Sequence, residues 1–269
     1  MDFNEKLGTL IFNLGTMNSM AVAFSGGVDS GLLLKVAHGI LGQQVLAVII
    51  NTPALPRRDL QDALDFVKEL RVNYRVIEAD PLQIEGFAEN RSDRCYLCKR
   101  DLFRRVWAVA EEHGISWVAD GSNCDDLNDD RPGMQALREL DVVSPLIEAQ
   151  LSKAEIREMA RRMQLKIWDK PAAACLASRF AYGQKISLEK LQQVEAAETY
   201  LSDLGFRQIR VRSHDNDARI EVAPEERTKI CDQQMMDAIN EKFKTLGFAH
   251  ASMDLGGYRC GLAGKSKKD

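Results

Sequence analysis

Two groups of residues in this chain have the types and spacing for chemistry. The first is Ser25-Gly26-Gly27-Val28-Asp29-Ser30, between the apolar run 20–24 and the helix-forming stretch 31–37. A strand, a glycine turn and a helix opening into that turn make an anion site. Glycine lets the backbone approach a ligand, free N–H groups point outward, and the helix dipole favours negative charge. Ser25 and Ser30 add hydroxyls. Asp29 is suited to ordering the loop or helping place Mg2+, an ion that takes few protein carboxylates and mostly phosphate oxygens and water. No Gly-Lys-[Ser/Thr] follows, which excludes a Walker A loop. The second group is thiols: Cys95-Tyr-Leu-Cys98 at a helix start, and Cys175 in a small-residue stretch much further on.

Six cysteines (95, 98, 124, 175, 231 and 260) in a reducing compartment argue for metal binding or catalysis over disulfides. Three thiolates are too few for a closed zinc site unless Cys124 supplies a fourth. A redox pair and unconnected thiols are the plainer readings. Three thiolates on a 4Fe–4S cluster would instead leave one iron open to an exogenous sulfide. Beside a phosphate turn, this is the reading we favour for Cys95, Cys98 and Cys175. Cys124, Cys231 and Cys260 are then spectators, with Cys231 buried in a helix. Ser178 and Arg179 follow Cys175 closely, and Arg179 could pair with a phosphate or carboxylate by a bidentate fork. Arg210 and Arg212, two apart on a strand, share a face, either a solvated charged sheet face or a phosphate clamp.

Hydrophobic periodicity supplies the elements that position these residues. Helices are expected over 2–14, 30–41, 57–70, 98–112, 134–139 and 152–163, with strands over 20–24, 45–51, 74–78, 117–120 and 142–146. The alternation predicts an α/β fold, a doubly wound parallel sheet, whose ligands sit beyond the strand carboxyl ends. There the turn 25–27, Asp120-Gly121 and the polar loop 122–133 should line one crevice, with Asp120, Asp125 and Asp126 available to assist a metal. After Trp168 the period is lost. We expect a first domain over 1–167, a functional linker over 168–187 and a smaller α+β domain over 188–269. That domain has a helix 188–204, strands 208–212 and 219–222, a helical stretch 224–246 and a strand 249–255.

The 269 residues carry a net charge of −4 and are 45% hydrophobic. That allows a sizeable core and is a poor prior for a nucleic-acid binder. No apolar run reaches membrane-spanning length and the N-terminus is not signal-like, so the expected location is the cytoplasm.

SGGVDS resembles the pyrophosphate loop (PP-loop) of the ATP pyrophosphatase superfamily. Together with DGSNCDDLNDDRPG (120–133), SPL (144–146), CLASRFAYG (175–183), the RVRSH and ARIEV segments (210–222) and DLGGYRCG (254–261), it resembles the LarE-type sulfur transferases over nearly the whole chain. The resemblance implies a PP-loop ATPase domain, a smaller C-terminal domain and a homo-oligomer, commonly a hexamer. It implies synthesis of the nickel-pincer nucleotide cofactor. ATP adenylylates the carboxylates of pyridinium-3,5-biscarboxylic acid mononucleotide, and each becomes a thiocarboxylate as AMP leaves. Residues 25–30, Val28 included, would hold the ATP phosphates, with Mg2+. Arg210 and Arg212, with Glu198 as companion, would hold the mononucleotide. Cys175, Ser178 and Arg179 would stand at the reacting centre. The family has two chemistries: one spends the sulfur of a single cysteine, at or beside position 175, and leaves dehydroalanine. The other holds a 4Fe–4S cluster on three cysteines. Cys95 and Cys98 place this chain with the second.

Overall fold

The computed structural model describes residues 2–128, 132–171 and 174–258, with only the backbone of Asn128. The expected reading of Cys260 lies outside the described residues. The chain divides into two compact units: Met1–Asp80 with Asp93–Ala173, and Pro81–Ser92 with Ala174–Asp269.

In the first unit, β1 (Met20–Ala23), β2 (Val45–Asn51), β3 (Asn73–Glu78) and β4 (Val118–Ala119) form a sheet in the order β3-β2-β1-β4. Met20 pairs with Val45, Leu46 with Asn73 and Ala21 with Val118, all in parallel. Successive strand side chains point to opposite faces, and two cores follow. Met20, Val22, Val45, Ala47 and Ile49 join one face. It is covered by α1 (Phe3–Gly15), α2 (Val28–Leu41), α3 (Arg57–Leu70) and α7 (Lys153–Arg162). Ala21, Leu46, Val48 and Val118 join the other, under α4 (Arg94–Glu112) and α5 (Pro132–Glu139). The sheet is therefore doubly wound, as its apolar strand runs require.

The expected fifth strand, 142–146, does not form. Val143 makes an isolated parallel bridge to Ala119, and Pro145 then opens the short helix α6 (Pro145–Glu148). Proline has no N–H for a ladder and suits the first turn of a helix. Helix α4 begins at Arg94 rather than 98, so Cys95 and Cys98 both lie within it.

The expected capping box starts α7. Ser152 Oγ accepts from the Glu155 amide, and the Glu155 carboxylate accepts from the Ser152 amide. Lys6 donates to Glu155 at 2.8 Å. That bond first, then the Ser152 amide and hydroxyl, hold the Glu155 carboxyl down at about 2, below the ordinary 4.5, against the opposing effect of burial. A depressed folded-state value gives stability that is fully present above the unfolded value and is lost as pH falls through the folded one. The stability gap between the wild type and Glu155→Gln should therefore be constant above pH 4.5 and shrink as pH falls toward about 2. Urea unfolding across that range checks it.

In the second unit, β5 (Ile209–His214), β6 (Asp217–Val222) and β7 (His250–Met253) pair in the order β5-β6-β7. The β5–β6 pair is antiparallel, with Arg210 opposite Glu221, and β6–β7 is parallel. Helix α8 (Leu188–Asp203) buries Leu191, Val194, Ala197 and Leu201 along the side that meets β5. The expected helical stretch 224–246 is broken into a 3-10 turn, α9 (Arg227–Ile230) and α10 (Gln233–Thr245). Cys231 sits at the break and is exposed, not buried. Segment 81–92 is tied in by Asn90, which is fully buried. Its amide donates to the Phe180 and Ala181 carbonyls at 3.3 and 2.6 Å. The Ile186 amide donates to the Ala88 carbonyl at 2.8 Å.

No helix among the described residues is long and apolar enough to cross a membrane.

Candidate active site

The phosphate turn leaves the carboxyl end of β1 and enters α2, whose N-cap is Gly27. Glycine has no side chain to cap a helix, so among the described residues no side-chain cap takes the outward N–H groups of the first turn. Those donors and the helix dipole are what an anion needs. Ser25 and Ser30 fix the turn: their hydroxyls lie 3.1 Å apart, and the Ser25 amide donates to Ser30 Oγ at 3.3 Å. Gly26 has φ +75°, and a Cβ there would stand 3.1 Å from the Asp59 carbonyl oxygen. Both facts favour glycine.

Gly121, just past β4, packs on the same helix start. A Cβ on it would lie 2.7 Å from the Ser30 backbone nitrogen. Backbone cannot swing aside as a side-chain tip does. Gly121→Ala should therefore cost about 1–3 kcal/mol, the range for overpacking, read by urea unfolding.

Two of the carboxylates here, Asp29 and Asp120, face lysines. Asp29 accepts from Asn123 Nδ2 at 3.3 Å and makes a close ion pair with Lys153, the first residue of α7. Asp120 is buried, accepts from the hydroxyls of Ser122 and Ser144 and lies 3.8 Å from Lys99. Asp125 accepts from the Lys153 amide at 2.8 Å, and Asp126 from the Asn123 amide at 3.0 Å. The strand-end residues 25–30, Asp120, Gly121 and the loop after it thus meet on one unit. Asn123 and Ser144 lie in the segments 120–133 and 144–146 noted in the sequence, whereas Lys153 was not singled out. Only the capping box just before α7 marks Lys153, and it announces a helix, not a ligand.

Cys95 and Cys98 stand in the first turns of α4, three residues apart and so on one face. Cys95 is exposed, Cys98 half-buried, and the Arg94 guanidinium lies 3.9 Å from Cys95 Sγ. Cys175, exposed, begins the 3-10 turn Leu176–Arg179 in the second unit. Burial pushes the Cys124 thiol up, which makes it a poor thiolate donor. Among the described residues no three His, Cys, Asp or Glu side chains are gathered as a metal site. The donor chemistry of Cys95, Cys98 and Cys175, two of them exposed thiols, nevertheless fits a thiolate-held cluster.

The second unit brings Ser178, Arg179, Glu198, Arg210 and Arg212 together. Arg179, only 2% exposed, forms a two-pronged pair with Glu198 at 2.8 and 3.0 Å and donates to Ser178 Oγ at 2.8 Å. Glu198 also accepts from the Val211 amide at 2.8 Å. Arg212 pairs with Glu221 at 3.0 Å through both prongs and donates to the Ser178 carbonyl at 2.8 Å. Arg210 donates to the Ile209 carbonyl and stacks over the Tyr258 ring at 5.0 Å. Burial first, and then the charge of Arg179, push the Arg210 guanidinium below its ordinary value. Glu221 and Tyr258, which lie in the ARIEV and DLGGYRCG segments noted in the sequence, complete this group.

A parallel α/β sheet whose first strand ends in a serine–glycine turn at a helix N-terminus defines the PP-loop class of nucleotide-using proteins. The NAD synthase family pattern matches residues 7–106, the part holding that turn. Pyridinium-3,5-bisthiocarboxylic acid mononucleotide synthase of Lactiplantibacillus plantarum is 37% identical over 95% of this chain and 92% of its own length. An uncharacterized protein of Synechocystis sp. is 40% identical over 96% of both chains. Another, from Methanocaldococcus jannaschii, is 34% identical over 96% of this chain and 99% of its own. The chain belongs to the LarE-type family of PP-loop sulfur transferases.

Proposed function

We propose that this chain uses ATP to adenylylate the carboxylates of pyridinium-3,5-biscarboxylic acid mononucleotide and converts them to thiocarboxylates, a step in making the nickel-pincer nucleotide cofactor. The observation that carries this is the likeness to the Lactiplantibacillus plantarum synthase along both whole chains. The geometry of the phosphate turn supports the adenylylating half. Ser25, Gly26, Gly27, Val28, Asp29 and Ser30 hold the ATP phosphates on outward amides and hydroxyls, and Asp29 helps place Mg2+. The substrate carboxylate attacks the α-phosphorus; the bond to the β-phosphate oxygen breaks and its electron pair leaves with pyrophosphate. Adenylylation is needed because a carboxylate is a poor electrophile, whereas AMP leaves readily from the acyl carbon.

Arg210 and Arg212, steadied by Glu198, hold the phosphate of the mononucleotide. Ser178 and Arg179 orient the carboxyl group that reacts. Cys95, Cys98 and Cys175 would hold a 4Fe–4S cluster, whose open iron would carry the sulfur that replaces AMP. The protein works as a cytoplasmic homo-oligomer, a hexamer by family likeness, with sulfide or a sulfur donor as its other substrate. The exposure of Cys175 also suits a second reading. There Cys175 attacks the acyl-adenylate itself, and elimination across its Cα–Cβ bond releases the thiocarboxylate and leaves dehydroalanine. Thiolation of tRNA by the same loop is disfavoured by the net charge of −4.

Anaerobic reconstitution with iron and sulfide, followed by assay with ATP and the dicarboxylate mononucleotide, tests the proposal. AMP, pyrophosphate and several thiocarboxylates per protein are expected. Zinc without iron would exclude the cluster, and absence of AMP would exclude the activity.

A further inference from the structure

One arginine on the charged face of the second sheet is only loosely held. Arg219 on β6 stands directly opposite Arg212 on β5. Residues so placed share a face of the sheet, and like charges there repel. Glu221 does not serve both. It gives one oxygen to each prong of Arg212 at 3.0 Å, while Arg219 Nη2 lies 3.8 Å from its Oε1. The other carboxylate in reach, Asp254, is 3.6 Å from Arg219 Nε. Both distances are too long for hydrogen bonds. Among the described residues the Arg219 guanidinium makes no hydrogen bond, and its Nε is buried without one. The side chain as a whole is 43% exposed. A guanidinium fork this free, beside Arg210 and Arg212, suits two-pronged recognition of a carboxylate.

We propose that Arg219 binds the substrate carboxylate that is not reacting, and so sets the preference for a pyridinium ring with two carboxylates. This rests on the reading of the dicarboxylate mononucleotide as substrate. That molecule carries three anionic groups. Arg210 and Arg212 take its phosphate, and Ser178 and Arg179 its reacting carboxyl. The third group falls to the remaining arginine of this face. Phe180, just after Ser178 and Arg179, bridges to Ser213 on β5, whose other edge pairs with β6. The two carboxyl subsites thus stand on opposite sides of one strand, as positions 3 and 5 stand on opposite sides of the ring axis. A half-turn about the bond from ring nitrogen to ribose exchanges those positions and leaves the phosphate in place. The same subsites then serve both rounds, with Arg219 holding a carboxylate in the first and the finished thiocarboxylate in the second.

Calorimetry on the full-length protein without ATP tests this with two probes. One is the dicarboxylate mononucleotide; the other is pyridinium-3-carboxylic acid mononucleotide, which lacks the second carboxylate. Wild type should bind the first about tenfold or more tighter, the scale of one charge-assisted contact. In Arg219→Gln that preference should disappear, through weaker binding of the dicarboxylate and unchanged binding of the monocarboxylate. Arg219→Lys keeps the charge and loses the fork, and should fall between. Equal weakening of both probes would make Arg219 a phosphate ligand and overturn the proposal. Should Arg219→Gln fail to fold, Arg219→Lys decides alone, since it must lose part of the preference. Wild type that binds neither probe overturns the substrate reading and this proposal together. A wild-type preference that survives undiminished in the variants overturns this proposal alone.

Discussion

Cys95→Ala, Cys98→Ala and Cys175→Ala are each expected to lower multiple-turnover thiocarboxylate formation by about 100-fold or more, at least the loss seen when the supporting shell of a metal site is removed. Pyrophosphate release in the first turnover should survive, because the phosphate turn lies at the end of β1, on elements that none of these cysteines belongs to. Stability should change little for Cys95 and Cys175, since both are exposed and such truncations seldom matter. Iron analysis alongside the assay separates the two chemistries. Under the cluster reading all three variants lose iron and repeated turnover together. Under the sacrificial reading Cys175→Ala alone is dead, and wild-type protein acquires dehydroalanine at 175, visible by mass spectrometry. Undiminished turnover in all three variants would refute both.

Arg179→Ala is expected to destabilise the protein by about 3–5 kcal/mol, the cost of leaving one partner of a buried ion pair alone. Arg179 is almost wholly buried and holds Glu198 through both guanidinium prongs, while Glu198 also takes the Val211 amide from β5. Removing the cation strands the carboxylate against the sheet. Replacing both partners by apolar residues of similar size should recover most of the loss, since paired desolvation offsets much of the attraction. Urea unfolding of the single and double variants reads this directly. A loss below about 1 kcal/mol, as for an exposed pair, would show that water reaches the site. This pair is therefore structural in the isolated chain, whatever Arg179 later offers a substrate.

Much of the first unit was legible in sequence because apolar runs of strand length, such as 45–51, admit few other readings. The phosphate turn was legible for the same reason: its glycines and serines answer a local backbone demand. Failures came where identity depended on partners. The run Val142-Val-Ser-Pro-Leu146 is apolar enough for a strand, yet Pro145 turns it into a helix that buries Leu146. Cys231 lies in a helical sequence pattern, but the chain breaks there and exposes it. Lys153 and Asp29 are far apart in the chain, and no local pattern announces their contact. Arg210 and Arg212 were read as a pair sharing a face, but only the fold shows that Arg212 is matched by Glu221 while Arg210 leans on Tyr258. Residues 81–92 carry no sequence sign of grouping with the C-terminal unit.

That excursion limits how the gene can be cut. The chain passes between its compact units after residues 80, 92 and 173. A fragment ending at 173 would still carry 81–92 but lack the carbonyls of Phe180 and Ala181 that the Asn90 amide requires. A fragment starting at 174 would lack Asn90 itself and the Ala88 carbonyl that takes the Ile186 amide. Neither half is a transplantable cassette.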